Sequence, residues 1–488
     1  MARKKTNEKL VAWAGFDLST TGLGLGVRSL DGTEAYAHLK VRGATKWQGE
    51  PAFELPQVPG MILTVLKKMQ RDGWRFEKSS ISFAVRQHDM VLLDKAGEPL
   101  IPALSWQCNA ASREVELLRS QGAEAVVGRI EERFILPKLM WALRKTPALK
   151  SRVAQVMTTG DWIAYCLTGV SRLSTSDAIS NGLLIQANKK LAADVMNKAK
   201  LKAAWFPQVL QSGRVVGTIK RQAAEDGESW SAIREILSGA KVVAGLGDNH
   251  ATGVGCGLGE RDYQTVVVSA GTSGTVNRVC AAKDKLQGNA ACFEYYRSRL
   301  LLMMLADCCK WYDRFVARHA SKYKDRLDEL NSLGLKADVT RLRRVLHDGG
   351  KETYPPNWDK FSLGEKVAST QFSIMLELLL LMKSMQHEVE CGQDAVTRFV
   401  LTGGLSQSEF FQRVFTAGAK VLQPKAKVLV SARKGPLRYQ TAAYGALLNA
   451  MRPADPNAAD KLCASRSCSA PKAGDLAAIQ YLLRSYGL

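Results

Sequence analysis

Short runs of β-branched and other apolar residues alternate along this chain with longer stretches in helical apolar spacing, the pattern of an α/β protein. Residues 11–29 (VAWAGFDLSTTGLGLGVRS) predict a strand, a tight polar turn and a second strand. Residues 264–278 (QTVVVSAGTSGTVNR) repeat that plan. Between them a strand over 241–244 runs into a Gly/Asp turn and a helix of small residues, GLGDNHATGVGCG. A further strand–turn–helix unit, FVLTGGLSQSEFFQRVF, predicts a helix starting near Ser406 or Ser408. Two hairpins of one design imply two halves on related plans. The boundary is expected near 259–263, giving domains 1–260 and 261–488. After Arg452, PADPNAADK reads as a linker and LAAIQYLLRSY as a closing amphipathic helix.

At 488 residues the chain suits two domains better than a single core. Its 46% apolar and 23% charged residues are those of a folded globular protein. The longest apolar stretch, 372–385, carries Glu377 and Lys383, so it reads as a buried helix with no membrane partner. The basic start, MARKKTNEKL, lacks the long apolar core of a secretory signal, and the reading is cytoplasmic. Ten scattered cysteines suit a reducing compartment, and six histidines give little support to a histidine-ligated metal enzyme. The net charge of +22 is spread along the chain without an aromatic-rich basic module. It is read as a surface that attracts anionic small molecules, with no specific nucleic-acid partner. A homodimer stays open.

Several turns hold residues suited to phosphoryl transfer, which needs positioning, charge neutralisation and an activated nucleophile. Asp17 opens the turn DLSTTG, where a carboxylate can hold magnesium and Ser19, Thr20 and Thr21 can donate to phosphate oxygens. An ordinary Asx-type turn needs the same residues. Gly271, Thr272 and Ser273 offer a second small-residue turn, and Gly403 and Gly404 a third where backbone can approach a nucleotide closely. Asp248 lies at a strand end, placed either to take a proton from a hydroxyl or to cap the following helix. His88 follows another strand, within hydrogen-bonding reach of a sugar or simply structural.

Taken in order, these segments resemble the FGGY family of carbohydrate kinases over roughly residues 11–451. The points of contact are DLSTTG (17–22), RQHDMVLLD (86–94), ALSWQCNAAS (103–112), LPKLMW (136–141), TTGDWIAYCLTG (158–169), STSDAISNGLL (174–184), GLGDNHATGVGCG (245–257), SAGTSG (269–274), LTGGLSQSEFF (401–411) and TAAYGALLNA (441–450). The resemblance implies two actin-like, ribonuclease-H-like ATPase domains around a central cleft. It also implies an ATP- and Mg2+-dependent kinase of a small sugar, with a ketopentose such as D-xylulose as leading substrate. Ribulose, glycerol, erythritol, or a silent nucleotide-binding regulator on the same fold are the alternatives.

Carried over by position, Asp248 matches the general base, and Asp17 and Asp248 stand near the metal. Ser19, Thr20, Thr21, Gly271, Thr272 and Ser273 match the phosphate loops, and Gly403, Gly404 and Ser406 the adenosine site. Gln87, His88, Trp106, Asp248 and Asn249 match the sugar site, with Gln87 and His88 in the central places of a QMHG-like motif. Three departures stand out. Ser19 replaces a common glycine, the N-terminal signature is kept only at Lys138, Leu139 and Trp141, and Arg86 and Asp89 replace the usual Gln and Gly.

Overall fold

The structure, a computed structural model, describes residues 8–20, 22–40, 43–221, 228–271, 273–285, 288, 290–348, 350–388, 396–432, 435–437, 440–463 and 465–488. The chain divides into two compact units. One holds Met1–Gly257, Phe293–Tyr296 and Lys434–Leu462; the other holds Leu258–Cys292, Arg297–Arg433 and Cys463–Leu488. The division is therefore not the single cut expected near 259–263. The chain first leaves one unit after Gly257, and a later segment containing the helix Thr441–Met451 returns to it.

In the first unit a six-stranded sheet runs Val215–Thr218, Lys241–Gly247, Ser80–Val85, Trp13–Leu18, Gly22–Arg28 and Glu34–Lys40. The second, third and fourth of these are mutually parallel; every other pairing is antiparallel. The strand expected over 241–244 extends to Gly247, because its backbone stays registered with Ser80–Val85 up to the pair Gly247 and Val85. Alternation along Trp13–Leu18 sends Ala14, Phe16 and Leu18 into a core shared with the helices Gln57–Arg71 and Thr159–Thr168. Gly15 and Asp17 take the opposite face.

That opposite face is covered by the Thr441–Met451 helix, which also packs on the helix Asp248–Gly255. Glycine makes this approach sterically feasible. A Cβ on Gly15 would lie 2.2 Å from the Ala443 carbonyl oxygen, and one on Gly445 only 1.7 Å from that of Ala251. Buried Asn449 fastens the same helix: its amide donates to Ser82 Oγ (2.8 Å) and the Ala244 carbonyl (2.9 Å), and its Oδ1 accepts from the Tyr296 hydroxyl (3.0 Å). Every polar atom of that side chain is thereby satisfied in a dry place.

The second unit repeats the plan. The seven-stranded sheet to which it contributes all but Phe293–Tyr295 runs Ala291–Tyr295, Ser298–Leu305, Gly274–Cys280, Thr265–Ala270, Arg398–Thr402, Lys427–Ser431 and Ser465–Ser467. Thr265–Ala270, Arg398–Thr402 and Lys427–Ser431 are parallel, with antiparallel strands on both sides. Both sheets thus start from a hairpin with a small-residue turn, continue outside it through one further strand in the first sheet and two in the second, and extend on the other side through two parallel strands to an antiparallel edge. The helix Leu363–Gln386 opens with a reciprocal Ser362/Glu365 capping box. It is long and apolar enough to cross a membrane, yet it is 72% buried over its most apolar window, within the core of this unit. The final helix, Ala473–Ser485, closes against the same core through Ile479 and Leu483.

One buried acid knits the first unit together. Asp161 sits in the first turn of Thr159–Thr168; its Oδ2 accepts from Thr158 Oγ1 (2.9 Å) and its Oδ1 from the Ser174 N–H (3.0 Å). Burial pushes its carboxyl up to about 7, against the lowering effect of those two hydrogen bonds. A carboxyl whose folded-state value is raised stabilises the fold fully below its unfolded value near 3.8. That contribution is lost as pH rises through about 7.

Two predictions follow from this packing. Gly445→Ala should destabilise the protein by about 1–3 kcal/mol, read as a lower denaturant midpoint, because the Ala251 backbone cannot yield to a methyl group; an unchanged midpoint would refute the close approach. Asp161→Asn should flatten the decline of stability between about pH 4 and 7. Parallel wild-type and variant curves across that window would contradict the assignment.

Candidate active site

Three parallel strands of the first unit end together, and the residues at their ends form the candidate site. Register aligns Leu18 with Val85 and Val85 with Gly247. Asp17 therefore lies at the end of one strand, Asp248 just beyond another, and Arg86, Gln87 and His88 leave the strand between them. The carboxyl ends of parallel strands are the usual binding edge of an open α/β sheet.

Asp17 has a buried Oδ1 with no hydrogen-bond partner. Burial, followed by the charge of Asp248, pushes its carboxyl up to about 7. Asp248 is the first residue of its helix; the N-cap is Gly247, so the capping alternative does not describe this aspartate. Its Oδ1 accepts from the Asn249 N–H at 2.9 Å. Burial pushes Asp248 up to about 6, Asp89 adds to the rise, and the Asn249 N–H and the Arg86 guanidinium oppose it. Two buried carboxyls, one raised by the charge of the other and keeping a free oxygen, form a hard-oxygen donor pair. That pair fits a magnesium ion, which is commonly held by one or two carboxylates and substrate phosphates. Among the described residues no cluster of three or more metal-ligating side chains occurs.

The first turn is closed by its own serine: the Ser19 N–H donates to the Gly22 carbonyl (2.9 Å), and the Ser19 hydroxyl lies 3.1 Å from that carbonyl and from the Gly22 nitrogen. This hydroxyl shapes the loop, which explains a serine where a glycine is common. Thr20 Oγ1 accepts from the Trp106 indole N–H at 3.1 Å. Thr21 lies outside the described residues.

Gln87 and His88 are buried and strongly tethered. The Gln87 amide nitrogen bonds the Ser180 hydroxyl, and its Oε1 is buried without a partner. His88 stacks on Phe134 with ring centroids 4.9 Å apart, and its Nδ1 lies 3.1 Å from Asn181 Oδ1. The Asn181 amide nitrogen donates to the Gln87 and Asp177 carbonyls, which fixes its oxygen as the atom facing His88. Nδ1 therefore carries the proton, leaving Nε2 as an acceptor. Burial, then the charge of Arg133, holds His88 well below the usual histidine range, so it is neutral at pH 7.

Sequence reasoning missed the residues that hold this edge in place. Lys138 is fully buried; its ammonium donates to the carbonyls of His88, Leu104 (3.3 Å) and Ser105 (3.1 Å), tying together the two segments that carry His88 and Trp106. Burial pulls it down to about 8, against the charge of Asp89. Asp89 is also buried; its Oδ1 accepts from the Trp106 backbone N–H (3.0 Å) and its Oδ2 pairs with Arg86 Nε (2.5 Å). The half-kept signature at Lys138 and the substitutions at 86 and 89 were the available signals, but neither reveals which distant carbonyls and amides they meet.

In the second unit Gly271, Gly403 and Gly404 come together. Gly403 has φ +93°, and a Cβ there would lie 2.5 Å from the Ala270 carbonyl, so its turn rests directly on the hairpin. Gly404 would place a Cβ 3.6 Å from Cys309 Sγ, and the Cys309 N–H donates to the Gly271 carbonyl (2.8 Å). Ser273 follows in the same hairpin turn, ahead of the strand Gly274–Cys280. Ser406 sits in the short 3-10 turn Gly404–Gln407, its hydroxyl donating to the Gly403 carbonyl (2.6 Å). The next helix begins at Glu409, with Ser408 as its N-cap. Thr272 lies outside the described residues.

Residues 64–255 match the sequence profile of the FGGY family of carbohydrate kinases, N-terminal domain. Among curated relatives, a xylulose kinase of Lactococcus lactis is 28% identical over 203 residues, 41% of this chain and 39% of that protein. A xylulose kinase of Staphylococcus epidermidis is 30% identical over 202 residues, 41% and 38% of the two chains. Each of these matches spans less than half of either protein. Solved structures extend the likeness of fold over nearly the whole chain. A ligand-bound xylulose kinase from Lactobacillus acidophilus has a TM-score of 0.80 at 16% identity, covering 98% of this chain and 97% of its own. A Plasmodium falciparum glycerol kinase with ADP has a TM-score of 0.76 at 11% identity, covering 99% and 100%. The two units are thus those of the two-domain actin-like ATPase fold. Residues 64–255 thus carry the N-terminal domain of the FGGY family of carbohydrate kinases, and within that part the chain is similar to curated xylulose kinases.

Proposed function

We propose that this protein is an ATP-dependent kinase of a small sugar, with a ketopentose such as D-xylulose as its substrate. The observation that carries the reading is the acid pair at the strand ends: Asp17 with an unpartnered buried oxygen, and Asp248 close enough to raise its carboxyl. Such a pair is unfavourable in a dry site unless it meets a cation or a proton donor, and a kinase supplies both.

In the reaction Asp248 takes the proton of the acceptor hydroxyl as its oxygen attacks the γ-phosphorus of ATP. The new oxygen–phosphorus bond forms, the bond to the bridging oxygen breaks, and ADP leaves with that electron pair. Asp17 and Asp248 would hold magnesium, which neutralises phosphate charge when bound. His88 accepts a sugar hydroxyl through Nε2, and Trp106, Gln87 and Asn249 border the same edge. Thr20 and the first-turn backbone donate to phosphate oxygens. Gly271, Ser273, Gly403, Gly404 and Ser406 are assigned to the nucleotide on the strength of the glycine turn that only a missing side chain permits.

The test is a coupled ADP-release screen with ATP and magnesium against pentuloses, hexuloses, aldonates and polyols. Sugar-dependent release, greatest with a pentulose, is the expected result; no release with any acceptor would sink the reading. Asp248→Asn should lower kcat by about 10²–10⁴-fold while ATP affinity stays within a few-fold. Normal turnover in that variant would exclude Asp248 as the base. His88→Phe, which keeps the stack on Phe134 but removes the acceptor, should raise the sugar KM roughly tenfold with little change in kcat. An unaltered KM would take His88 out of the site.

A further inference from the structure

Arg86 leaves the middle of the three parallel strands, directly after Val85, which is registered with both Leu18 and Gly247. It is therefore placed between the first turn and Asp248. The residue is 6% exposed, and each part of its head but one is engaged. Nε pairs with Asp89 Oδ2 at 2.5 Å, Nη1 reaches the Ser19 carbonyl at 3.4 Å, and the guanidinium lies 4.5 Å from the centre of the Phe53 ring. Nη2 is buried and has no hydrogen-bond partner.

A buried guanidinium does not leave an arm unsatisfied without cost; the arrangement is stable in use if an acceptor arrives with a ligand. The acceptor's chemistry follows from the surrounding charge. Asp17, Asp89 and Asp248 face this edge, with Asp177 behind Gly247, and the ammonium of Lys138 is spent on three carbonyls. A sugar bearing its own carboxylate would meet those acids with no free ammonium to offset them. A phosphoryl group arrives with its own counter-cation, between the turn that Nη1 touches and the carboxylate that takes the proton.

Resting on the kinase reading above, we propose that Arg86 is a catalytic residue of this protein, its free Nη2 donating to an oxygen of the phosphoryl group during transfer. Asp89 is the positioning residue: one oxygen clamps Nε and the other holds the Trp106 backbone, so the guanidinium cannot swing away. Lysine could not replace arginine here, because one ammonium cannot both pair with Asp89 and extend a second, rigidly placed arm.

The experiment compares wild type with Arg86→Gln/Asp89→Asn, which removes both buried charges together so that neither is stranded, and with Arg86→Lys, which keeps the positive charge. Steady-state kinetics are read beside the affinity of ADP with aluminium fluoride, magnesium and sugar, a mimic of the group in transfer. Both variants should lose about 10²-fold in kcat and a similar factor in affinity for the mimic. The sugar KM and the affinity for ADP alone should stay within about threefold on the same reasoning. Full kcat in Arg86→Lys, or a loss confined to the sugar KM with the mimic bound normally, would overturn the role. Absence of sugar-dependent turnover in wild type would overturn the kinase reading and this role with it, whereas wild-type turnover unchanged in the variants removes Arg86 alone.

Discussion

Two carboxyls brought into one poorly hydrated place govern the first unit. Asp17 stands near the end of one strand and Asp248 just beyond another, the two strands flanking a common neighbour, and each carboxyl resists ionisation because water has been displaced from around it. Keeping water away requires the Thr441–Met451 helix to lie almost in van der Waals contact with the sheet and with the Asp248–Gly255 helix. The glycines at 15, 255 and 445 make that approach feasible. Sterics far from the chemistry thus set the electrostatics at the strand ends.

The surrounding polar network works in the same direction. Lys138, Asp89 and Asn181 contribute no apolar packing of consequence, yet they determine where His88, Trp106 and Arg86 stand. Each is buried and bonds backbone groups, while Asp89 also pairs with Arg86 and Asn181 faces His88, so the loops carrying the candidate site are held by these contacts and not by loop propensity. Rigidity at the strand ends is what a transfer reaction needs, since its catalysis consists mostly of holding groups in line.

Much of the architecture was legible because its signals are local. A β-branched run followed by a small-residue turn and a second apolar run specifies a hairpin, and two such hairpins announced the repeated sheet. Asp17 and Asp248 were legible for the same reason, each lying where a strand pattern stops. The pairing of Arg86 with Asp89 spans three residues and was noticed only as an oddity, because its meaning comes from Ser19 and Phe53, whose distance in sequence hides their proximity. Lys138 reaches carbonyls 33 to 50 residues earlier. Ser19 closes its own turn, a local role that composition alone cannot separate from donation to a phosphate.

The apolar pattern of 441–451 identifies a helix but not the sheet it covers, and this has a consequence for how the molecule is made. The cover of the first sheet is synthesised after every strand of the second sheet except its short edge, Ser465–Ser467. A nascent chain that has just passed Gly257 carries a glycine-floored trough with nothing lying in it. The unit whose strands are made first therefore receives its cover only after most of the second unit has been synthesised.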